Sequence, residues 1–305
     1  MSEIFVLDHV GGNPTPAVSE PPALTDSMAT WSQAIVGAPD AELEERSGHH
    51  TERRVVAIAN QKGGVGKTTT AINLSAALAQ AGRRVLLIDL DPQANASSGV
   101  GFATTSTGTS AYDLISGSCS FAEAVRPTDV PGLDVIPAST GLAGAEVELV
   151  GMSQRERLLR TRLEGNAGEY AYVILDCPPS LGLLTVNALV AADSVLIPLQ
   201  CEYYALEGVG HLLETLGRIQ QRFNPRLEIE GVLLTMFDGR LNLSVQVAEE
   251  ARKYFGERVY ATMIPRNVRL SEAPSFGQPI TVYDPGCLGA ASYVHLAKEL
   301  IGNAE

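Results

Sequence analysis

Short apolar runs alternate along this chain with longer stretches of helical spacing, and that alternation sets the expected architecture. Val55–Ala59, Val85–Ile88, Ala171–Leu175 and Ser194–Leu199 are nearly continuous hydrophobic blocks, the pattern of strands buried on both faces. Leu133–Ile136, Ile229–Thr235 and Val259–Ile264 read as further strands. Between the first two runs, Ala71, Leu74, Leu78 and Ala81 recur at the spacing of one helix face. Leu241–Phe255 is expected to present Leu241, Val245, Ala248, Ala251 and Phe255 together, and residues 289–301 to present Tyr293, Leu296, Ala297, Leu300 and Ile301. Shorter helices are expected over Ala111–Ile115, Ala143–Val150 and Gln154–Leu163. Strands alternating with helices throughout predict an α/β fold with a doubly wound, mostly parallel sheet flanked by helices.

Residues 1–50 break this pattern. Pro14, Pro16, Pro21, Pro22 and Pro39 punctuate them, and eight acids stand against Arg46 alone. Such a segment buries too little to fold by itself. The chain is therefore expected to divide into a disordered, acidic, Pro-rich tail (1–50) and one domain (51–305). Met28, Trp31, Ile35 and Val36 are the tail's apolar exceptions. They are either chance residues in a floppy segment or a docking motif for a partner, such as a polar or scaffold protein.

The 305 residues are 45% hydrophobic, enough for a sizeable core, and carry a formal charge of −13. That acidity confines any nucleic-acid binding to a local patch. No run approaches the ~18 apolar residues of a membrane span, and no secretory signal opens the chain. Cys119, Cys177, Cys201 and Cys287 form no C-x-x-C pair, which weakens zinc and redox readings and fits a reducing cytosol.

The chemistry is concentrated after the first strand. Gly63, Gly64 and Gly66 let the backbone turn tightly, and Lys67, Thr68 and Thr69 open the helix that follows. Strand, glycine loop, Gly-Lys-Thr and helix form the context of a phosphate-binding loop. Free N–H groups and the positive end of the helix dipole make an anion site. Lys67 adds a point charge for terminal phosphates, and the Thr68 hydroxyl can ligate Mg²⁺. The ordinary motif has glycine where this chain has Gln61, and a second lysine, Lys62, stands beside it. Lys62 either points to solvent or reaches a phosphate on a facing subunit. Asp89 and Asp91 end the second strand, where carboxylates face the ligand crevice of an open α/β sheet. One of the two is expected to orient a water for attack on a γ-phosphate while the other is structural. Asp176 ends the third buried strand and suits the outer shell of Mg²⁺, and Cys177-Pro178-Pro179-Ser180 follows as a stiff turn.

Gln-Lys-Gly-Gly-Val-Gly-Lys-Thr-Thr at 61–69, Asp-Leu-Asp-Pro-Gln at 89–93, Leu-Asp-Cys-Pro-Pro-Ser at 175–180 and Pro-Arg-Asn-Val-Arg-Leu-Ser-Glu-Ala-Pro-Ser at 265–275 together resemble the ParA/Soj family of chromosome-partitioning ATPases. These are P-loop NTPases of the deviant Walker A type, and the resemblance spans about residues 53–301. It implies an ATP-driven dimerisation switch with ATP and Mg²⁺ as cofactors. The ATP-bound homodimer binds double-stranded DNA without sequence preference, which puts it on the nucleoid. A ParB-type centromere-binding protein stimulates hydrolysis to ADP and phosphate.

Position by position, Lys62 resembles the family's signature lysine, Lys67 its phosphate-loop lysine and Thr68 its Mg²⁺ ligand. Gly63, Gly64, Val65, Gly66 and Thr69 complete the nucleotide cradle. Asp91 matches the acid that organises the attacking water, and Asp176 the outer Mg²⁺ acid. Pro265 and Asn267 fall where relatives hold adenine, and Arg240 and Arg269 where relatives contact DNA. By the residues alone, a lone arginine is more often a solvated or paired surface charge.

A membrane-associated division-site ATPase resembling MinD shares the loop and both acids, but it would need a basic amphipathic C-terminal helix. Here Lys298 is the only base on residues 289–301, so no membrane partner is expected. An iron–sulfur carrier would need paired cysteines.

Overall fold

The computed structural model describes residues 53–102, 108–202 and 205–302. The tail and its Trp31 lie outside the described residues. Seven strands form one sheet: β1 (Arg54–Ile58), β2 (Val85–Asp89), β3 (Arg126–Pro127), β4 (Leu133–Ile136), β5 (Tyr172–Asp176), β6 (Ser194–Gln200) and β7 (Glu228–Thr235). Their spatial order is β3-β4-β2-β5-β1-β6-β7. Every pairing is parallel except β3 with β4. The two-residue β3, built on Arg126-Pro127, is too short to register as a hydrophobic pattern.

The strand runs are apolar at every position because both faces of the sheet are covered. Alternate side chains serve opposite layers. Val55, Ala57, Leu86, Ile88, Val173 and Leu175 enter one core. Val56, Ile58, Val85, Leu87, Tyr172 and Ile174 enter the other. The first core is roofed in part by helices Leu183–Ala191 and Ala205–Arg222, the second by helix Lys67–Gln80 and the C-terminal helix Leu288–Gly302. Helix Lys67–Gln80 is buried almost throughout, which its small residues Ser75, Ala76, Ala77 and Ala79 allow. Its end is sealed by Gly82, at φ +82°, donating to Ala79 O while Arg83 N donates to Leu78 O. The C-terminal helix turns Tyr293, Leu296, Ala297 and Leu300 into the core, as the spacing predicts, and leaves Ile301 half-buried. No helix among the described residues is long and apolar enough to cross a membrane.

Two expectations fail for traceable reasons. Val259–Ile264 is not a strand: it touches β7 only through a bridge at Val259 and isolated bonds from Tyr260 N to Val232 O and Ile264 N to Leu234 O. The amides between them, Ala261 N and Thr262 N, donate instead to the Glu299 carboxylate on the C-terminal helix. In helix Asn242–Phe255 the packed face is Ser244, Val247, Ala248, Ala251 and Phe255, while Leu241 and Val245 are exposed. Ser244 and Val247 take the places expected of Leu241 and Val245, so the packed face is turned away from the phase that the apolar spacing favours.

The register brings the chemistry to one edge. Ile58 of β1 and Asp89 of β2 both pair with Asp176 of β5, so three strands end flush, and Gln200 of β6 ends opposite Thr235 of β7.

Candidate functional site

Beyond Ile58 the chain follows β6 for one more bond, Ala59 N to Leu196 O, and then turns. The turn is organised by Asn60, a buried side chain whose amide donates to Pro198 O at 2.7 Å and whose oxygen accepts from Lys62 N at 3.0 Å. Gly64 and Gly66 sit at φ +75° and +91°, in the region where a side chain is strained. Thr70 N to Gly66 O begins the helix. From the other side Thr235, at the end of β7, donates its hydroxyl to Val65 O at 2.8 Å. The loop is therefore held from β6 and from β7 by the chain's own side chains.

Lys67 points back into the loop and donates to Lys62 O at 3.1 Å. Burial lowers its pKa, and the nearby Asp176 and Asp91 charges oppose that shift. Asp176 is fully buried and neither of its oxygens has a hydrogen bond of ordinary geometry. Burial and the Asp89 charge hold its pKa well above the usual carboxylate range, with the Thr68 hydroxyl and Lys67 as partial offsets. A bare carboxylate in such a place is costly unless a cation answers it. Among the described residues no three or more His, Cys, Asp or Glu side chains cluster to hold a metal unaided. A divalent ion at Thr68 and Asp176 would thus take most of its ligands from phosphate and water, the habit of Mg²⁺. The donor set fits that ion.

Asp89 and Asp91, indistinguishable by spacing, differ in geometry. Asp89 accepts from Asp91 N at 3.1 Å and from Ser97 N and Ser97 Oγ, both at 2.7 Å. Ser97 Oγ in turn accepts from Ala138 N. Burial pushes the Asp89 pKa up to about 6 against those bonds. Asp91 lies past the strand end and accepts from Gln93 N at 2.9 Å. Asp89 has the arrangement of a brace for the loop that carries Asp91.

A cleft of about 690 Å³ runs from Gly66, Thr68 and Thr69 to Pro265 and Asn267. Asn267 caps the short helix Val268–Glu272 by accepting from Arg269 N at 2.8 Å, which leaves its amide N–H groups to offer. Arg240 and Arg269 do not line the cleft. Arg240 is largely exposed and grips Asp238 through two bonds of 2.9 and 2.7 Å, which lower the Asp238 pKa to about 2. Arg269 lies 2.8 Å from Glu272 and 3.3 Å from Asp284. Lys62 rests 3.5 Å from Glu202. The sequence reading missed Asn60, Ser97, Thr235 and Glu202. Glu202 was findable, because it lies two residues past the end of a buried strand, as Asp91 does.

Comparison with known proteins matches this architecture. A family model described as an AAA domain (AAA_31) covers residues 53–229. The sporulation initiation inhibitor protein Soj of Bacillus subtilis is 56% identical over 82% of this chain and 99% of its own length. The chromosome partitioning protein ParA of Caulobacter vibrioides is 56% identical over 81% of this chain and 94% of its own. Among solved structures, cobyrinic acid a,c-diamide synthase from Mycobacterium smegmatis with ADP and magnesium superposes with a TM-score of 0.72 at 39% identity, covering 82% of this chain and 94% of that one. The septum site-determining protein MinD from Pyrococcus horikoshii with Mg-ADP gives 0.68 at 25% identity, covering 83% and 99%. With a phosphate loop at a flush sheet edge and relatives matched over nearly their whole length, the chain belongs to the ParA/Soj family of chromosome-partitioning ATPases.

Proposed function

We propose that residues 51–305 form an ATP-operated dimerisation switch that binds DNA without sequence preference in its ATP state and releases it on hydrolysis. The observation that carries this reading is the contrast within the phosphate loop. Lys67 is buried and turned inward, whereas Lys62 has a fixed backbone and a side chain held at the rim by one loose ion pair. One lysine serves the chain's own phosphates, and the other is free to serve a neighbour's.

The cradle Gly63–Thr69 takes the phosphates on its N–H groups, and Lys67 neutralises the terminal ones. The Thr68 hydroxyl would ligate Mg²⁺ with Asp176 in its outer shell, and the ion would supply charge neutralisation to the terminal phosphates. Asp91 orients the attacking water, positioned by the hold of Asp89 on its backbone amide. Pro265 and Asn267 receive adenine at the far end of the cleft. Lys62 of each copy reaches the nucleotide of the other, so dimerisation completes both sites.

Arg240 and Arg269 supply the DNA contact, doubled in the dimer, which reconciles binding with an acidic chain. Affinity then rises with the number of phosphates neutralised and falls steeply with salt. A ParB-type protein is the partner that triggers hydrolysis, and the cycle runs on the nucleoid.

Co-sedimentation with DNA in ATP, in ADP and without nucleotide tests the reading. We expect retention with ATP alone, and stronger retention for Asp91→Ala, which keeps ATP intact. Equal retention in ATP and ADP would contradict it.

A further inference from the structure

We propose that Glu202 is a positioning residue for Lys62: it parks the lysine in the single copy and releases it when a second copy arrives. This rests on the cross-dimer role of Lys62 given above. Three segments meet at the Glu202 carboxylate. Oε2 lies 3.5 Å from Lys62 Nζ, on the phosphate loop. Oε1 accepts from Gln200 Nε2, at the end of β6, and lies 4.0 Å from Arg266, on the cleft-lining loop.

A half-exposed carboxylate gains from a cation at hand, and with its charge answered and screened it leaves the chain's own nucleotide unaffected. Lys62 supplies that cation in the single copy, and Arg266 remains to face Glu202 once Lys62 has left. The pair is also built for release. Lys62 Nζ and Glu202 are both half-exposed, and an ion pair of this length and exposure is weak. The main chain of Lys62 does not move with it, because Asn60 holds its amide and Lys67 its carbonyl. The transfer needs only rotation about the four-carbon stem of the lysine. Releasing Lys62 is a cost paid before the dimer forms, so Glu202 weakens dimerisation and thereby keeps the switch off at low protein concentration.

Sedimentation of Glu202→Gln across a protein dilution series with saturating Mg²⁺ and a non-hydrolysable ATP analogue tests this. The dimer midpoint is expected to fall about two- to fivefold, the range open to an exposed ion pair. ADP affinity and thermal midpoint, set within one copy, are expected to match wild type. An unchanged midpoint in a wild-type background that dimerises overturns the Glu202 assignment and leaves the dimer standing. A shift mirrored in ADP affinity overturns it too, because a parking role leaves ADP binding alone. Wild type that stays single under these conditions overturns the dimer and the parking role together.

Discussion

The phosphate-loop edge and the arginine surface use charge in opposite ways. At the edge, Asp89, Asp176 and Lys67 are buried, and the loop around them is anchored to β6 through Asn60 and held from β7 by Thr235. Charges out of water interact strongly and tolerate little displacement. At the surface, Arg240 and Arg269 pair with Asp238, Glu272 and Asp284 in full or partial contact with solvent. Such pairs are worth little and exchange readily. The two regions thus differ in how firmly the chain itself holds its charges. The nucleotide loop is braced by the chain's own side chains, whereas in the proposed function a DNA phosphate would have to take each arginine from an acid of the same chain.

Perturbations can separate the two regions. The largest effect is expected on the surface. Arg269→Ala should lower DNA affinity at least about tenfold at low salt and reduce the salt slope by about two, as the loss of one phosphate contact in each copy of the dimer does. A filter-binding titration in ATP at two salt concentrations would show it, with ATP-dependent dimerisation unchanged. Affinity equal to wild type would remove Arg269 from the DNA surface.

Thr235→Val probes the edge without changing side-chain size. It removes the hydroxyl that braces Val65 O, and a lost hydrogen bond of this kind is worth about 0.5–1.5 kcal/mol. ATP affinity measured by titration calorimetry should fall about three- to tenfold, with DNA binding at saturating ATP preserved.

The smallest effect is a pH dependence. The Asp89 pKa is raised in the folded chain to about 6, so the fold binds this proton more tightly than the unfolded chain does. The stability tied to that proton is present at low pH and is lost as pH rises through about 6. Between pH 5 and pH 7 this amounts to about 1 kcal/mol without nucleotide. Urea denaturation at the two pH values should show a larger pH difference in wild type than in Asp89→Asn, in which the buried Asp176 still contributes a change of the same sign.

The nucleotide edge was legible in the sequence because a phosphate loop is a backbone device. Gly64 and Gly66 are needed at positive φ, and Lys67-Thr68 must open a helix, so the residues announce the conformation. Other features depended on partners distant in the chain. Asn60 reaches Pro198, Thr235 reaches Val65, and Glu299 takes the amides that would have made Val259–Ile264 a strand. No local pattern reports such contacts. The exposure of Leu241 and Val245 shows the limit of apolar spacing on a helix whose packed face includes a serine and two alanines. A few signals were present and unread. Ser120-Phe121-Ala122-Glu123 is a capping box, and it opens the short helix Phe121–Ala124 in a stretch that otherwise reads as loop. The pairing of Arg240 with Asp238 is likewise local, two residues apart, while the fate of that pair on DNA is not encoded nearby.

The most direct test of the account is sedimentation velocity of Asp91→Ala with saturating ATP and Mg²⁺, beside the same variant carrying Lys62→Ala. The account predicts a dimer for the first and single copies for the second. Single copies in both, or dimers in both, would contradict a nucleotide clasped between two chains by Lys62.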